Sequence, residues 1–127
     1  MRKFFLISSA AVSLFAVGCA TPQSVCETGA QNTCAKLFAC APEALKSSSQ
    51  FQEAYGTTTA ECETKQIAAR KCGEKKEFDQ LCTDGKKYDL GKASNCSDAV
   101  KAQSCDDFNA SRTDVTKVPA ACGQICN

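Results

Sequence analysis

The chain has 127 residues, and its 15 Lys and Arg residues nearly balance its 14 Asp and Glu residues. Acidic residues are interleaved among the paired lysines, so the charge pattern argues against a nucleic-acid partner. There is no His, which excludes Ser-His-Asp and Cys-His nucleophilic sites and every zinc site with a His ligand.

The first 18 residues have the features of an export signal. Arg2 and Lys3 form a positive n-region, and the apolar stretch over residues 4–17 is too short and too often interrupted by Ser to span a membrane. Small residues then converge on a cysteine, and residues 16–19, with the sequence Ala-Val-Gly-Cys, resemble a bacterial lipobox. The resemblance implies that residues 1–18 are removed.

The same resemblance implies that Cys19 becomes the lipidated N-terminus and that acyl chains attach the protein to a membrane. Ala20 stands where inner-membrane retention typically uses Asp, so we expect an outer-membrane lipoprotein that faces the periplasm or the cell surface. The alternative is an ordinary signal peptide cleaved near Ala16 or Ala20, which gives a soluble secreted protein.

The cysteine count supports the anchor independently. The sequence has 11 Cys, and an odd number in an exported protein calls for an explanation of one thiol. Lipidation of Cys19 leaves ten cysteines that can pair completely, a density typical of a disulfide scaffold in an oxidising compartment. The predicted half-cystines are Cys26, Cys34, Cys40, Cys62, Cys72, Cys82, Cys96, Cys105, Cys122 and Cys126. Their order alone does not determine the connectivity.

Large apolar side chains are scarce. Val, Leu, Ile and Phe make up 14 of the 108 residues from Ala20 to Asn127, which is below the roughly 20% that a chain needs to offset its conformational entropy by burial. Each disulfide typically contributes about 2–4 kcal/mol, so five bridges can compensate. We therefore predict that reduction unfolds the domain.

The domain begins at residue 26 in this interpretation, after the lipidated cysteine and a short tether over residues 19–25. Pro22 and its small polar neighbours suit a tether. A first amphipathic helix is predicted over residues 27–41 and is ended by Pro42. Its apolar stripe is Cys34, Leu37, Phe38, Ala41 and Leu45.

Residues 46–50 are predicted to form a loop before the aromatic pair Phe51 and Tyr55. A second helix has both ends marked, because residues 58–61 have the S/T-x-x-E form of a capping box and Gly73 lies just beyond the last turn. An antiparallel arrangement of the two helices predicts that Cys34 pairs with Cys72 and that Cys40 pairs with Cys62.

Weaker signals follow along the chain. Residues 74–81 favour a short helix, and Thr83-Asp84-Gly85 favours a turn because Asp and Gly tolerate positive φ. A third helix is predicted from Asn95 to Phe108, with Cys96 and Cys105 on opposite sides. Pro119 is suited to open a last helical turn that carries Cys122 and Cys126. The fold class predicted is a mainly α, disulfide-stapled bundle of three to four short helices.

Catalytic and metal chemistry finds little support in the sequence. No C-x-x-C pair occurs, so we expect no metal site and no cofactor. The carboxylate pairs Glu61/Glu63, Asp84/Asp89 and Asp106/Asp107 are the formal candidates for glycosidase chemistry, but such residues are usually solvated helix faces or caps. We therefore expect no enzyme. The apolar residues that can line a pocket or build the core are Phe38, Leu45, Phe51, Tyr55 and Phe108, and we expect a core.

The Cys spacing as a whole resembles small Cys-rich lipoproteins of Myxococcota and related predatory or gliding bacteria. The similarity rests on the lipobox, the C-x5-C step, residues 55–57, and the blocks over residues 82–89 and 96–108. It implies no activity. We expect a lipid-anchored envelope lipoprotein that acts as a non-catalytic binding or structural module, with an envelope protein or glycan as partner. The alternative is a soluble secreted effector or hydrolase inhibitor.

Overall fold

A computed structural model describes residues 20–127. It contains six α-helices in that range: α1 Pro22–Cys40, α2 Glu43–Lys46, α3 Ser49–Tyr55, α4 Thr59–Ala69, α5 Leu90–Ala102 and α6 Cys105–Ser111. Four short 3-10 turns accompany them: Cys72–Glu74, Phe78–Leu81, Val115–Lys117 and Ala120–Gln124. The predicted class, a mainly α protein stapled by disulfides, is confirmed, although its helices are more numerous and mostly shorter than expected.

The first helix begins earlier than the sequence suggested. The Thr21 side chain caps it by accepting a hydrogen bond from the Ser24 backbone N–H, and the Ser24 hydroxyl accepts one from the Thr21 backbone N–H. Pro22 occupies the first turn. Proline is favoured there because its φ is already helical and it lacks only an N–H that would be unpaired. Residues 22–25 are therefore helical, and the predicted tether over residues 19–25 was too long.

The loop predicted over residues 46–50 is mostly helical. Pro42 ends α1 as expected, but α2 follows at once, and the Ser48 side chain caps α3 by accepting from the Phe51 backbone N–H. The Phe51 and Tyr55 rings lie one turn apart in α3 with their centroids 5.0 Å apart. The run of three serines thus contains a helix cap, which places Phe51 in the core.

The N-terminal cap predicted for α4 is confirmed, and its C-terminal end is different. Thr58 accepts from the Glu61 backbone N–H, while the Glu61 carboxylate accepts from the Thr57 backbone N–H at 2.6 Å and from its hydroxyl at 2.8 Å. Lys71, with φ of 52°, takes the left-handed position that we expected Gly73 to take. Gly73 lies within the following 3-10 turn.

The third predicted helix is two helices. Asp89 caps α5, which therefore starts before Asn95, and Gln103 then leaves helical conformation. Ser104 caps α6 by accepting from the Asp107 backbone N–H. The serine thus separates helices that apolar spacing alone had joined. The predicted turn at residues 83–85 is confirmed, since Asp84 and Gly85 have φ of 59° and 68°.

All ten predicted half-cystines are paired, and the pairing is nested. Cys34–Cys62 lies inside Cys26–Cys72, and we call these two the N-terminal bridge pair. Cys96–Cys122 lies inside Cys82–Cys126, and these two are the C-terminal bridge pair. Cys40–Cys105 joins the two halves and is the linking bridge.

The predicted partners of the α1 cysteines were wrong by one position. α4 does run antiparallel to α1, but Cys62 pairs with Cys34 and Cys72 pairs with Cys26. The shift follows from the early start of α1, which places Cys26 inside the helix. Two cysteines on α1 must be spaced like their partners Cys62 and Cys72, which are ten residues apart. The spacing of eight between Cys26 and Cys34 is closer to ten than the spacing of six between Cys34 and Cys40.

Sulfur fills much of the interior. Ten hydrophobic residues are buried in the described part of the chain, and five of them are half-cystines; Leu37, Phe51 and Phe108 are the large apolar ones. Phe38 and Tyr55 pack against this core, whereas Leu45 is 40% exposed. The expectation of a small apolar core is met, and the disulfides are themselves part of the packing.

Candidate binding groove

A cavity lies between α1 and α5, which run side by side in the same direction. The Asn32 side chain donates to the Ser97 hydroxyl at 2.9 Å, and the Lys36 ammonium donates to the backbone carbonyls of Lys101 and Gln103. Residues 32 and 97 and residues 36 and 101 are both 65 apart in sequence. A constant offset identifies parallel helices, because each step along one is matched by a step along the other.

These contacts leave a groove of about 700 Å³ between the two helices, which is in the size range of small-molecule sites. Hydroxyl and amide side chains line it at Ser24, Thr28, Asn32, Thr33, Ser94 and Ser97. Apolar side chains line it at Val25, Tyr88, Leu90, Val100 and Ile125. Charge enters with Arg70, Asp98 and Lys101. The groove thus offers an apolar surface with several polar groups and two cations.

Ala20 also lines the groove. The groove therefore opens at the end of the domain where the described chain begins. Along α1 its lining extends to Thr33, about 16 Å from Pro22 at 1.5 Å per residue.

Tyr88 is held at this end by contacts on both sides. Its ring stacks on Phe78 with centroids 5.9 Å apart, and its backbone N–H donates to the Asp79 carboxylate at 3.1 Å. Tyr88 also forms an isolated antiparallel bridge with Cys126. Partial burial raises the pKa of the Tyr88 phenol, so the hydroxyl stays protonated and able to donate a hydrogen bond at neutral pH.

Arg70 brings a cation to the groove from the end of α4. Its guanidinium lies over Gly29 of α1, where a Cβ would come within 3.6 Å of Nη1. That distance is an ordinary van der Waals contact, so the guanidinium lies directly against this turn of α1. The position of Arg70 depends on the N-terminal bridge pair, which fixes α4 against α1.

Four of the six candidate catalytic carboxylates have local roles at helix starts or in a turn. Glu61 accepts the Thr57 N–H, Asp89 accepts the Lys92 N–H at 2.9 Å, and Asp107 accepts the Ser104 hydroxyl at 2.8 Å. Asp84 lies in the turn at positive φ. None of the three predicted pairs lines the groove.

The groove residues escaped sequence reasoning. Asn32 and Arg70 belong to no motif, and the block over residues 96–108 that contains Ser97 and Asp98 implied no binding role. Only the register between α1 and α5 brings them together, and it depends on contacts between residues 65 apart. A cap residue followed by proline, Thr21 and Pro22, is the local signal that could have placed Ser24 and Val25 on a helix face.

Cys19, the predicted lipidation site, lies outside the described residues. Among residues 20–127 no cluster of three or more Cys, Asp or Glu is placed to hold a metal ion. No helix in the same range is both long and apolar enough to cross a bilayer. Comparison with protein-family models, curated proteins and solved structures gives no match.

Proposed function

We propose that the chain is an exported lipoprotein, anchored to the outer membrane through Cys19, whose folded domain is a non-catalytic binding or structural module of the cell envelope. The observation that carries the proposal is the complete pairing of ten cysteines among residues 26–126. Five bridges are typical of proteins that fold in an oxidising compartment. The ten cysteines of the described chain pair with one another, and Cys19 follows an apolar leader in the sequence.

The short distance between Cys19 and the folded domain supports the same proposal. Only Ala20 and Thr21 separate Cys19 from α1, so the groove lies next to the proposed anchor. A module held in this way meets membrane-associated partners without diffusing through the surrounding solution. An envelope protein or glycan is the proposed partner of the domain.

Fractionation of cells that express the full chain tests the anchor. We expect the protein in the membrane fraction after a high-salt wash and in the soluble fraction after detergent, because acyl chains are not released by charge screening. Intact-mass measurement should show acyl groups at an N-terminus formed by Cys19. The matched control is Cys19→Ser, which keeps the leader and the whole domain.

Recovery of the wild-type protein in the culture supernatant would refute the anchor if its mass differed from that of the Cys19→Ser protein only by the substituted residue. It would instead favour the secreted effector or inhibitor. Photo-crosslinking on intact cells from Ser94 in the groove, compared with Thr64 on the outside of α4, then tests for a partner. A crosslinked protein or glycan seen only from Ser94 supports a binding module.

A further inference from the structure

We propose that the domain stands upright on the membrane, with one defined end against anionic lipid headgroups. This inference rests on the proposed lipid anchor and adds which surface faces the bilayer. We call the membrane-facing surface the proximal end and define it by the starts of α1 and α5, the end of α4 and the Tyr88–Cys126 bridge. The distal end comprises α2, α3, α6 and the start of α4.

The first argument is the length of the spacer. Helix α1 is capped at Thr21 and fixed to the rest of the domain by Cys26 within its second turn. Three Cα steps from Cys19 to Pro22 span at most about 11 Å. A lipid on Cys19 therefore holds the start of α1 within that distance of the bilayer surface.

The fold gathers other segments at the same end. The antiparallel path of α4 brings Arg70 and Lys71 to the start of α1, next to the Cys26–Cys72 bridge. The parallel path of α5 brings Leu90 there, and Lys87 is paired with Asn127 beside it. Leu90 is 43% exposed, and both Leu90 and Arg70 line the groove with Ala20.

Charge distinguishes an upright domain from one that lies flat. Residues 70–92, which form the proximal end with the starts of α1 and α5, contain seven cations and five anions, and Glu27 near the start of α1 adds a sixth anion. The cations are Arg70, Lys71, Lys75, Lys76, Lys86, Lys87 and Lys92. Residues 43–65 and 105–117, which are distal, contain four cations and seven anions.

Two of the proximal anions are held by the fold but keep their charge: Asp79 accepts the Tyr88 N–H, and Asp89 caps α5. An anionic surface attracts the proximal cations, and this attraction falls off over a Debye length of about 8–10 Å, which is comparable with the reach of the spacer. The distal anions are repelled. Helix α1 alone is about 28 Å long, so the two ends experience very different potentials.

Fluorescence quenching on vesicles tests the orientation of the full lipidated protein. A fluorescent amino acid replaces Leu90 at the proximal end, or Leu45 at the distal end as the matched control, since these side chains are 43% and 40% exposed. The vesicles contain phosphatidylcholine alone or equal parts phosphatidylcholine and phosphatidylglycerol, with a quencher on the headgroups. We expect the probe at residue 90 to lose most of its emission and the probe at residue 45 to keep it.

Two further variants separate spacer from charge. A flexible Gly-Ser segment inserted between Ala20 and Thr21 should restore emission at residue 90, because it removes the restraint on height. Lys86→Gln with Lys87→Gln should weaken quenching on phosphatidylglycerol vesicles more than on phosphatidylcholine alone. Arg112→Gln with Lys117→Gln removes two distal cations and should leave that quenching intact.

Equal quenching of both probes, which indicates a domain lying flat, would overturn the inference, and so would absence of quenching at residue 90. Intact mass of the same samples separates this failure from that of the proposed function. If Cys19 carries acyl groups and the contrast is missing, only the orientation is wrong. If Cys19 carries none, the proposed function and the orientation fall together.

Discussion

The two inner disulfides are matched in loop length and differ in burial, which makes them a controlled test of what the sulfur atoms contribute. Cys34–Cys62 and Cys96–Cys122 have sequence separations of 28 and 26. Each inner bridge also lies within an outer bridge. The chain segments between inner and outer cysteines are 8 and 10 residues for Cys34–Cys62, and 14 and 4 residues for Cys96–Cys122. If the inner bridge is removed, the outer bridge still connects the two inner cysteine positions, through segments that total 18 residues in both cases.

Loop closure therefore predicts the same loss for either bridge, up to about 3.6 kcal/mol each when both cysteines become Ala. Burial predicts a difference. Cys34 and Cys62 are fully buried, whereas Cys96 and Cys122 are half-buried. Two sulfur atoms removed from a packed core leave a cavity that costs about 1 kcal/mol for each atom. We expect the Cys34→Ala, Cys62→Ala variant to lose about 2 kcal/mol more than the other.

Guanidinium-induced unfolding of the unreduced proteins, followed by far-UV circular dichroism, measures both losses. The slopes of the two variants should agree, since matched loops leave the unfolded chains similarly constrained. Equal free energies of unfolding, or a larger loss for the Cys96 and Cys122 variant, would show that the buried sulfurs act only as chain restraints. The claim that disulfides form part of the core would then be wrong.

Mild reduction is expected to open the C-terminal bridge pair before the buried inner bridge of the N-terminal pair, because thiolates reach half-buried sulfur first. Alkylation and peptide mass spectrometry give the order of opening, and the reverse order contradicts this expectation. Full reduction should abolish the helical circular dichroism spectrum. Gly56→Ala should lose about 1–3 kcal/mol of stability in thermal or denaturant unfolding, since Gly56 has φ of 81° and a Cβ there would lie 2.5 Å from the Glu61 Cβ. The control Gly85→Ala has φ of 68° and open space, so a similar loss would remove the crowding argument. The hydrogen bond from the Thr57 backbone N–H lowers the pKa of Glu61 below its ordinary value of 4.5; its stabilisation is present above about pH 4.5 and is lost as pH falls through the folded value. Glu61→Gln should flatten melting temperature against pH in this acid range, and an unchanged profile refutes the assignment.

The sequence predicted helix caps, turns and helix ends correctly where these depend on residues close together in the chain. The Thr58 cap, the turn at Asp84 and Gly85, and the end of α1 at Pro42 each follow from backbone preferences within a few residues. The left-handed residue at the end of α4 did not follow, because Lys71 has no such preference and the tertiary fold imposes it.

Features that depend on how one helix is aligned along another could not be predicted from the sequence. Pro22 among small residues has the composition of a linker and the position of a helix start, and only the Thr21 cap resolves the two. That one ambiguity moved the start of α1 and carried the disulfide prediction to the wrong partners. The groove depends on the pairing of α1 with α5 over 65 positions, which no local pattern reports.

The nested connectivity also bears on how the proposed export would give the protein its covalent structure. A chain that crosses a membrane N-terminus first presents its cysteines to the oxidising machinery in sequence order, yet none of the five native bridges joins two consecutive half-cystines. An oxidase that joins thiols as they emerge would therefore make every bond incorrectly. Cys40 in particular must wait for Cys105, 65 residues later. Bonds made in that consecutive order would have to be undone by mixed-disulfide exchange, a slow step that an isomerase accelerates.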